Sequence, residues 1–182
     1  MQETKRKGTG SVKVSGANKD GRETHYEFHW SGYARTPPRN ESLAGVGLLI
    51  RSDAHTHVED VLLDISPRIM AATATHYGTR YFIISAYMYT DAADDGKKDR
   101  LYQKLRQTIK LRPKNSRLIL LGDFNATSSY ASSHTRFIGS TSRQPPETFE
   151  NNNGGRLTDL ARCENLAIMN SFWPLKPAHA IT

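Results

Sequence analysis

At 182 residues the chain is long enough for one domain with a sizeable core, and its 37% hydrophobic content is low for a compact domain without matching disorder. A single cysteine, Cys163, excludes an internal disulfide and fits a reducing compartment, and no stretch approaches the roughly 20 apolar residues that span a bilayer. The net charge of +7 favours polyanionic partners, although solubility alone is also a sufficient reason for it.

Met1-Gln2-Glu3-Thr4 leads into the basic cluster Lys5-Arg6-Lys7, with no apolar core of a signal peptide behind it. A soluble, intracellular protein, nuclear or cytoplasmic, is expected. Residues 15–24 are rich in Gly, Asn and Asp and read as a turn. From His25 to Trp30 the alternation predicts a half-buried strand, with Tyr26, Phe28 and Trp30 on one face. His25, Glu27 and His29 fall on the other, where the histidines are expected to face solvent, too far apart to chelate. Residues 31–44, with Pro37-Pro38, form a surface loop, and residues 45–50 form the next strand. Val58 to Ile65 and Ile69 to Thr75 read as two strands joined by a hairpin turn at Ser66-Pro67-Arg68. His55, His57 and Asp60 lie close in sequence, but without a cysteine or second ligand pair they read as surface and not as a zinc site. Tyr81 to Tyr89, aromatic and β-branched, is a further strand.

From Asp94 the period changes. Leu101, Leu105 and Ile109 recur every four residues, giving an amphipathic helix whose N-terminal end suits Asp94 and Asp95 and which Pro113 stops. Residues 97–117 carry nine Lys or Arg against one Asp. This is either a phosphate-attracting face or an ordinary solvated one, the commoner use of such charge. Arg117-Leu118-Ile119-Leu120-Leu121 then predicts a strand buried on both faces, and Gly122, Asp123 and Asn125 end it. Residues two apart in an extended chain point the same way, so the two polar heads would emerge together. A carboxylate there can orient or deprotonate a water, and a neighbouring amide can donate to a phosphate oxygen without adding charge. The alternative is that Gly-Asp-x-Asn simply ends the strand with turn-forming residues. Residues 127–143 form a long polar loop suited to substrate contact. Asn151 to Glu164 reads as an Asn-capped helix, followed by a strand from Leu166 to Asn170.

The run Leu118 to Ala126, LILLGDFNA, resembles the signature of the endonuclease/exonuclease/phosphatase superfamily, most nearly the endonuclease domain of LINE-type retrotransposons and craniofacial development proteins. Three further stretches carry the likeness. Met1 to Thr4 resembles an aliphatic-Gln-Glu-Thr strand end, and Ser85 to Thr90 resembles Ala-Tyr-x-Pro-Asn, with Tyr89 and Thr90 in place of Pro and Asn. Asn152 to Phe172 resembles the family's N-x-x-G-x-x-L-x-D run and its continuation. The resemblance implies an α/β four-layer α-β-β-α sandwich: two packed sheets flanked by helices, with the site at one sheet mouth. It also implies Mg²⁺-dependent hydrolysis of DNA phosphodiesters, with Mn²⁺ as a substitute ion. Glu3 would hold the metal, Asp123 would orient the attacking water, and Asn125 and Tyr87 would hold the phosphate. The family's first strand with its asparagine, a later aspartate and a terminal Asp-His pair have no counterpart here. The resemblance therefore implies one domain over residues 1–182, truncated at both ends, with impaired activity and uncovered apolar rows. A catalytically inactive, basic nucleic-acid-binding remnant and a phosphatase of the same superfamily are the alternatives. DNA is the implied partner, with no membrane, a monomeric state, and a reverse transcriptase domain in a longer parent polypeptide.

Overall fold

The computed structural model describes residues 4–17, 19–33, 44–53, 55–128, 136–139 and 150–173. The chain forms two compact units, Met1–Tyr87 with Gln107–Gly122, and Met88–Arg106 with Asp123–Thr182.

Two sheets make up the first unit. Strands β1 (Thr9–Ala17), β2 (Glu23–Ser31) and β3 (Val46–Ser52) form an antiparallel sheet in that order. The second sheet has the order β4 (Thr56–Ser66), β5 (Ile69–His76), β6 (Thr79–Tyr87) and β7 (Arg117–Asp123), and the last residue of β7 already belongs to the second unit. The predicted hairpin is present: Ser66 pairs with Ile69 around Pro67-Arg68, and the Ser66 hydroxyl accepts the Arg68 N–H at 2.9 Å. β1 is longer than composition suggests and absorbs residues read as turn. Val12 and Val14 are its apolar side chains, so its strand state comes from pairing with β2 rather than from local preference.

The two sheets meet through Val46 and Leu48 of β3 and Met70 and Ala72 of β5, with Ile50, Val61, Leu63, Ile83 and Tyr87 packed around them. Fully burying a side chain such as Met70 stabilises by about 1.5–3 kcal/mol. β3 also decides which face of β2 goes inward. Leu48 is opposite His29 and Val46 is opposite Ser31, so the polar face of β2 shares the side that packs on the second sheet. His29 is accordingly buried, not solvent-facing as expected; its Nε2 lies 3.4 Å from Glu27 Oε2. The Ser31 hydroxyl donates to the Ser66 carbonyl at 2.9 Å across the sheets. Alternation defines two faces of a strand but not which one the core takes. The row Tyr26, Phe28 and Trp30 consequently lies on the outer face of its sheet.

β7 differs from its expectation too. Leu118 and Leu120 are half-buried, whereas Ile119 and Leu121 are exposed by 37% and 40%. Among the described strands it stands at the end of its sheet, where a continuous aliphatic run need not mean burial on both faces.

Helix α1 (Asp95–Lys110) follows the predicted period, with Leu101, Tyr102, Leu105 and Ile109 buried. The Asp94 carboxylate accepts the Lys97 N–H at 3.0 Å, as an N-terminal acid should. Lys98 departs from the solvated basic face: it is buried, with Nζ 2.7 Å from the Asp91 carbonyl and 3.0 Å from Asp95 Oδ1. Beside Lys98, the Asp95 carboxyl is held below the ordinary carboxylate range. In α2 (Asn152–Glu164) the Asn151 side chain caps the helix, accepting the Gly154 N–H at 2.8 Å, and Asn165 closes it in the left-handed region. The strand expected at Leu166 to Asn170 does not form. Ile168 makes one isolated parallel bridge to Ile138, and a 3-10 turn, Met169–Ser171, follows. The Ser171 hydroxyl donates to the Ile168 carbonyl and accepts the Gly139 N–H, a local alternative to a strand ladder. No helix of the described residues is long and apolar enough to cross a membrane.

Candidate active site

Asp123 and Asn125 do come together, though through a turn and not through strand periodicity. Asp123 Oδ1 accepts the Asn125 N–H at 2.9 Å, an Asx turn. Asn125 takes φ of 47°, in the left-handed region that asparagine tolerates better than most residues. Both side chains are half-buried. The Asn125 side-chain amide donates to the Met88 carbonyl at 3.0 Å, and the Met88 N–H donates to the Asp123 carbonyl at 2.9 Å.

Two further asparagines hold this turn. The Asn125 carbonyl accepts the side-chain amides of Asn151 and Asn153, each at 3.1 Å. The Asn151 Oδ1 also accepts the Thr127 N–H at 2.9 Å, so one side chain caps α2 and tethers the segment after Asn125. Asn153 is completely buried. Its side chain donates to the Tyr89 carbonyl at 2.8 Å, and its N–H donates to Asp91 Oδ1 at 3.3 Å. A buried amide that satisfies several carbonyls over-determines the backbone around it, which is how a left-handed residue is kept in place. Asn151 was legible as a helix cap; Asn153 was not. Its signal was the run Asn151-Asn152-Asn153-Gly154-Gly155, where one asparagine suffices for capping.

The Tyr102 hydroxyl donates to the Asn153 carbonyl at 3.3 Å, and burial pushes its phenol well above the ordinary value of 10.0, against a smaller opposing pull from Arg156. Above about pH 10 the unfolded chain loses that proton while the folded chain keeps it, so stability falls as pH rises from there. Tyr102→Phe should cost about 1 kcal/mol at neutral pH for the lost hydrogen bond and flatten this alkaline fall. Urea denaturation between pH 8 and 11 measures both; an unchanged alkaline slope would remove Tyr102 from the account.

Tyr87 ends β6 in the first unit. Its ring packs on the core cluster, and the Arg68 guanidinium lies 5.0 Å from the ring centroid. The Tyr87 N–H donates to the Arg68 carbonyl at 2.9 Å, and Arg68 Nη1 donates to the Tyr87 carbonyl at 3.4 Å. Arg68 is only 3% exposed, although an arginine in a Ser-Pro-Arg turn reads as solvent-facing. The available clue was hairpin register: Ile69 opposite Ala86 sets Arg68 against Tyr87. The buried guanidinium is thus engaged by both the ring and the carbonyl of Tyr87.

Glu3, the expected metal ligand, lies outside the described residues. Among the described residues no group of three or more His, Cys, Asp or Glu is placed to hold a metal ion, and His55, His57 and Asp60 form no such group. An ionised carboxylate has two oxygens with about four acceptor sites, so the turn bond of Asp123 leaves capacity to orient a water. An amide carries two hydrogens, so the Met88 bond likewise leaves Asn125 a donor for an anionic oxygen.

No curated protein matches the sequence significantly. The sequence model of the Endonuclease/Exonuclease/phosphatase family matches residues 1–161, a span that includes Glu3, Tyr87, Asp123, Asn125 and the clamping asparagines. Enzymes of this family are nucleases and phosphatases, and they usually use divalent metals. A match over so much of the chain, on two sheets with the α/β composition of that fold, establishes that the chain belongs to the Endonuclease/Exonuclease/phosphatase family.

Proposed function

We propose that the chain acts on DNA by metal-dependent phosphodiester hydrolysis, as an endonuclease domain of the LINE-type retrotransposon kind. The observation that carries this reading is the Asp123–Asn125 turn, clamped by Asn151 and Asn153 so that a carboxylate and an amide share one rigid position. In the proposed reaction Asp123 orients the water that attacks phosphorus, while Asn125 and Tyr87 donate to the phosphate oxygens. Such donors act by matching the negative charge that develops in the transition state. Mg²⁺, with Glu3 as its proposed ligand, would add Lewis-acid stabilisation of the same charge. The net charge of +7 supports DNA over a lipid headgroup as the substrate polyanion.

A second reading has one specific observation behind it. The Asx bond commits an Asp123 oxygen to the turn, as a purely structural aspartate would do. On that reading the chain binds DNA and does not cut it. Incubation with supercoiled plasmid and Mg²⁺, beside an inositol phosphate as phosphatase substrate, separates the readings. Nicking that EDTA stops is the expected result. Salt-sensitive binding without nicking supports the binding reading, and phosphate release without nicking moves the activity to the phosphatases.

A further inference from the structure

We propose that the outer face of the β1–β3 sheet is a second nucleic-acid surface, one that takes single-stranded polynucleotide by stacking. Tyr26, Phe28 and Trp30 stand on alternate residues of β2 and so occupy one row of this face. The register sets Gly10 and Gly47 beside Trp30, Val12 and Leu49 beside Phe28, and Arg51 beside Tyr26. The glycines shape the row. A Cβ at Gly10 would collide with the Trp30 indole, and one at Gly47 would meet the Phe28 ring at 2.8 Å, so both rings lie over bare backbone. Phe28 and Trp30 are stacked, with centroids 5.6 Å apart.

A basic strap crosses these rings. Arg6 places its guanidinium carbon 4.6 Å from the Trp30 centroid and 5.4 Å from that of Phe28. The strap is fixed by backbone bonds: Thr4 N–H to the Gly45 carbonyl at 3.1 Å, Gly8 N–H to the Tyr33 carbonyl and Gly32 N–H to the Gly8 carbonyl at 2.9 Å each. Arg6 is exposed, with Lys5 and Lys7 exposed beside it. One face of its guanidinium lies on the rings, and among the described residues the side chain is exposed. Among the described residues Val12, Val14 and Leu49 on the same sheet face are 42%, 46% and 52% exposed, while Tyr26 and Trp30 are half-buried and Phe28 is buried with Arg6 over its ring.

The chemistry of the face selects its occupant. Exposed aliphatic side chains beside the half-buried rings of Tyr26 and Trp30, an arginine plane and flanking cations match an unstacked base with its phosphates. In a duplex the base faces are hidden in the stack and cannot use the platform. The face carries Arg51 at the end of the row, paired with Asp53 at 3.2 Å, and an acidic residue within the row is absent from the described register. That balance favours a polyanion over a basic protein partner. This surface does not rest on the chemistry proposed for Asp123, and the two can fail separately.

Trp30 and Trp173 are the two tryptophans, and Trp173 is 63% exposed, so Trp173→Phe leaves Trp30 as a clean reporter. Titrating that chain with oligothymidylate should quench Trp30 emission saturably, whereas a duplex of equal length should quench it little. Arg6→Ala and Tyr26→Ala should each weaken oligothymidylate binding by about tenfold, the size expected for one lost stacking contact. Arg6→Lys should keep the salt dependence and still lose affinity, because an ammonium does not stack. The proposal falls if Trp30 emission ignores the oligonucleotide, if duplex binds the face equally well, or if Arg6→Ala has no effect while circular dichroism shows the fold intact. It also falls if light scattering shows the face buried between two copies of the chain.

Discussion

Asp123→Asn should lower hydrolysis by about 10²–10⁴-fold while leaving the melting transition almost unchanged, the loss typical of a removed general base or water-orienting group. The asparagine is the informative substitution because its side-chain oxygen can accept the Asn125 N–H in the same Asx geometry. It removes charge and basicity but keeps the turn. Asp123→Ala removes both, so it should lose activity to the same degree and also lose about 1 kcal/mol of stability with the turn bond. Plasmid nicking with Mg²⁺, read beside thermal melts of both variants, separates chemistry from scaffolding. If Asp123→Asn nicks at the rate of the unsubstituted chain, the carboxylate serves the turn alone and the catalytic role assigned to it is wrong. Asn125→Ala is a harder experiment to interpret, since its side chain also holds the Met88 carbonyl.

What could be read from residues alone was mostly local. The alternation of β2, the Ser-Pro-Arg hairpin between β4 and β5, the four-residue period of α1 and the asparagine cap of α2 each rest on neighbours in sequence. The misreadings needed partners distant in the chain. β1 becomes a strand through its pairing with β2, and His29 is drawn inward because Leu48 lies opposite it. Arg68, read from sequence only as part of the hairpin turn, is buried by a register that the pairing of β5 with β6 reveals. The site shows the same division. The spacing of Asp123 and Asn125 was visible and their proximity was expected, but from an extended geometry that the φ of 47° at Asn125 excludes. Asn153, which braces that geometry, is 28 residues further along the chain.

Gly122 is where strand geometry and the candidate site meet, and Gly122→Ala should be the most damaging small substitution in the first unit. Its φ of 151° lies outside the range in which an alanine rests easily. A Cβ there would also fall on the Ala86 carbonyl oxygen, with the Ala86 carbonyl carbon at 2.8 Å and nitrogen at 3.0 Å. These are backbone atoms of β6 and cannot rotate aside like the end of a flexible side chain. Backbone strain costs about 1–3 kcal/mol, and overpacking typically adds a further 1–3 kcal/mol. A loss of roughly 3–5 kcal/mol is expected, or roughly 10 °C in Tm for a domain of this size. By contrast Gly78→Ala, at a φ of 74° in a turn with no atom within 4 Å of the added Cβ, should show the strain alone and lose about 1–2 kcal/mol. The pair isolates the close approach of β7 to β6 from the cost of positive φ. Equal losses at the two glycines would show that the strands can part without penalty at Gly122. A much larger loss at Gly122 would show that the residue before Asp123 is held by main-chain contact, so the start of the Asx turn is set by sheet packing as well as by its own hydrogen bonds.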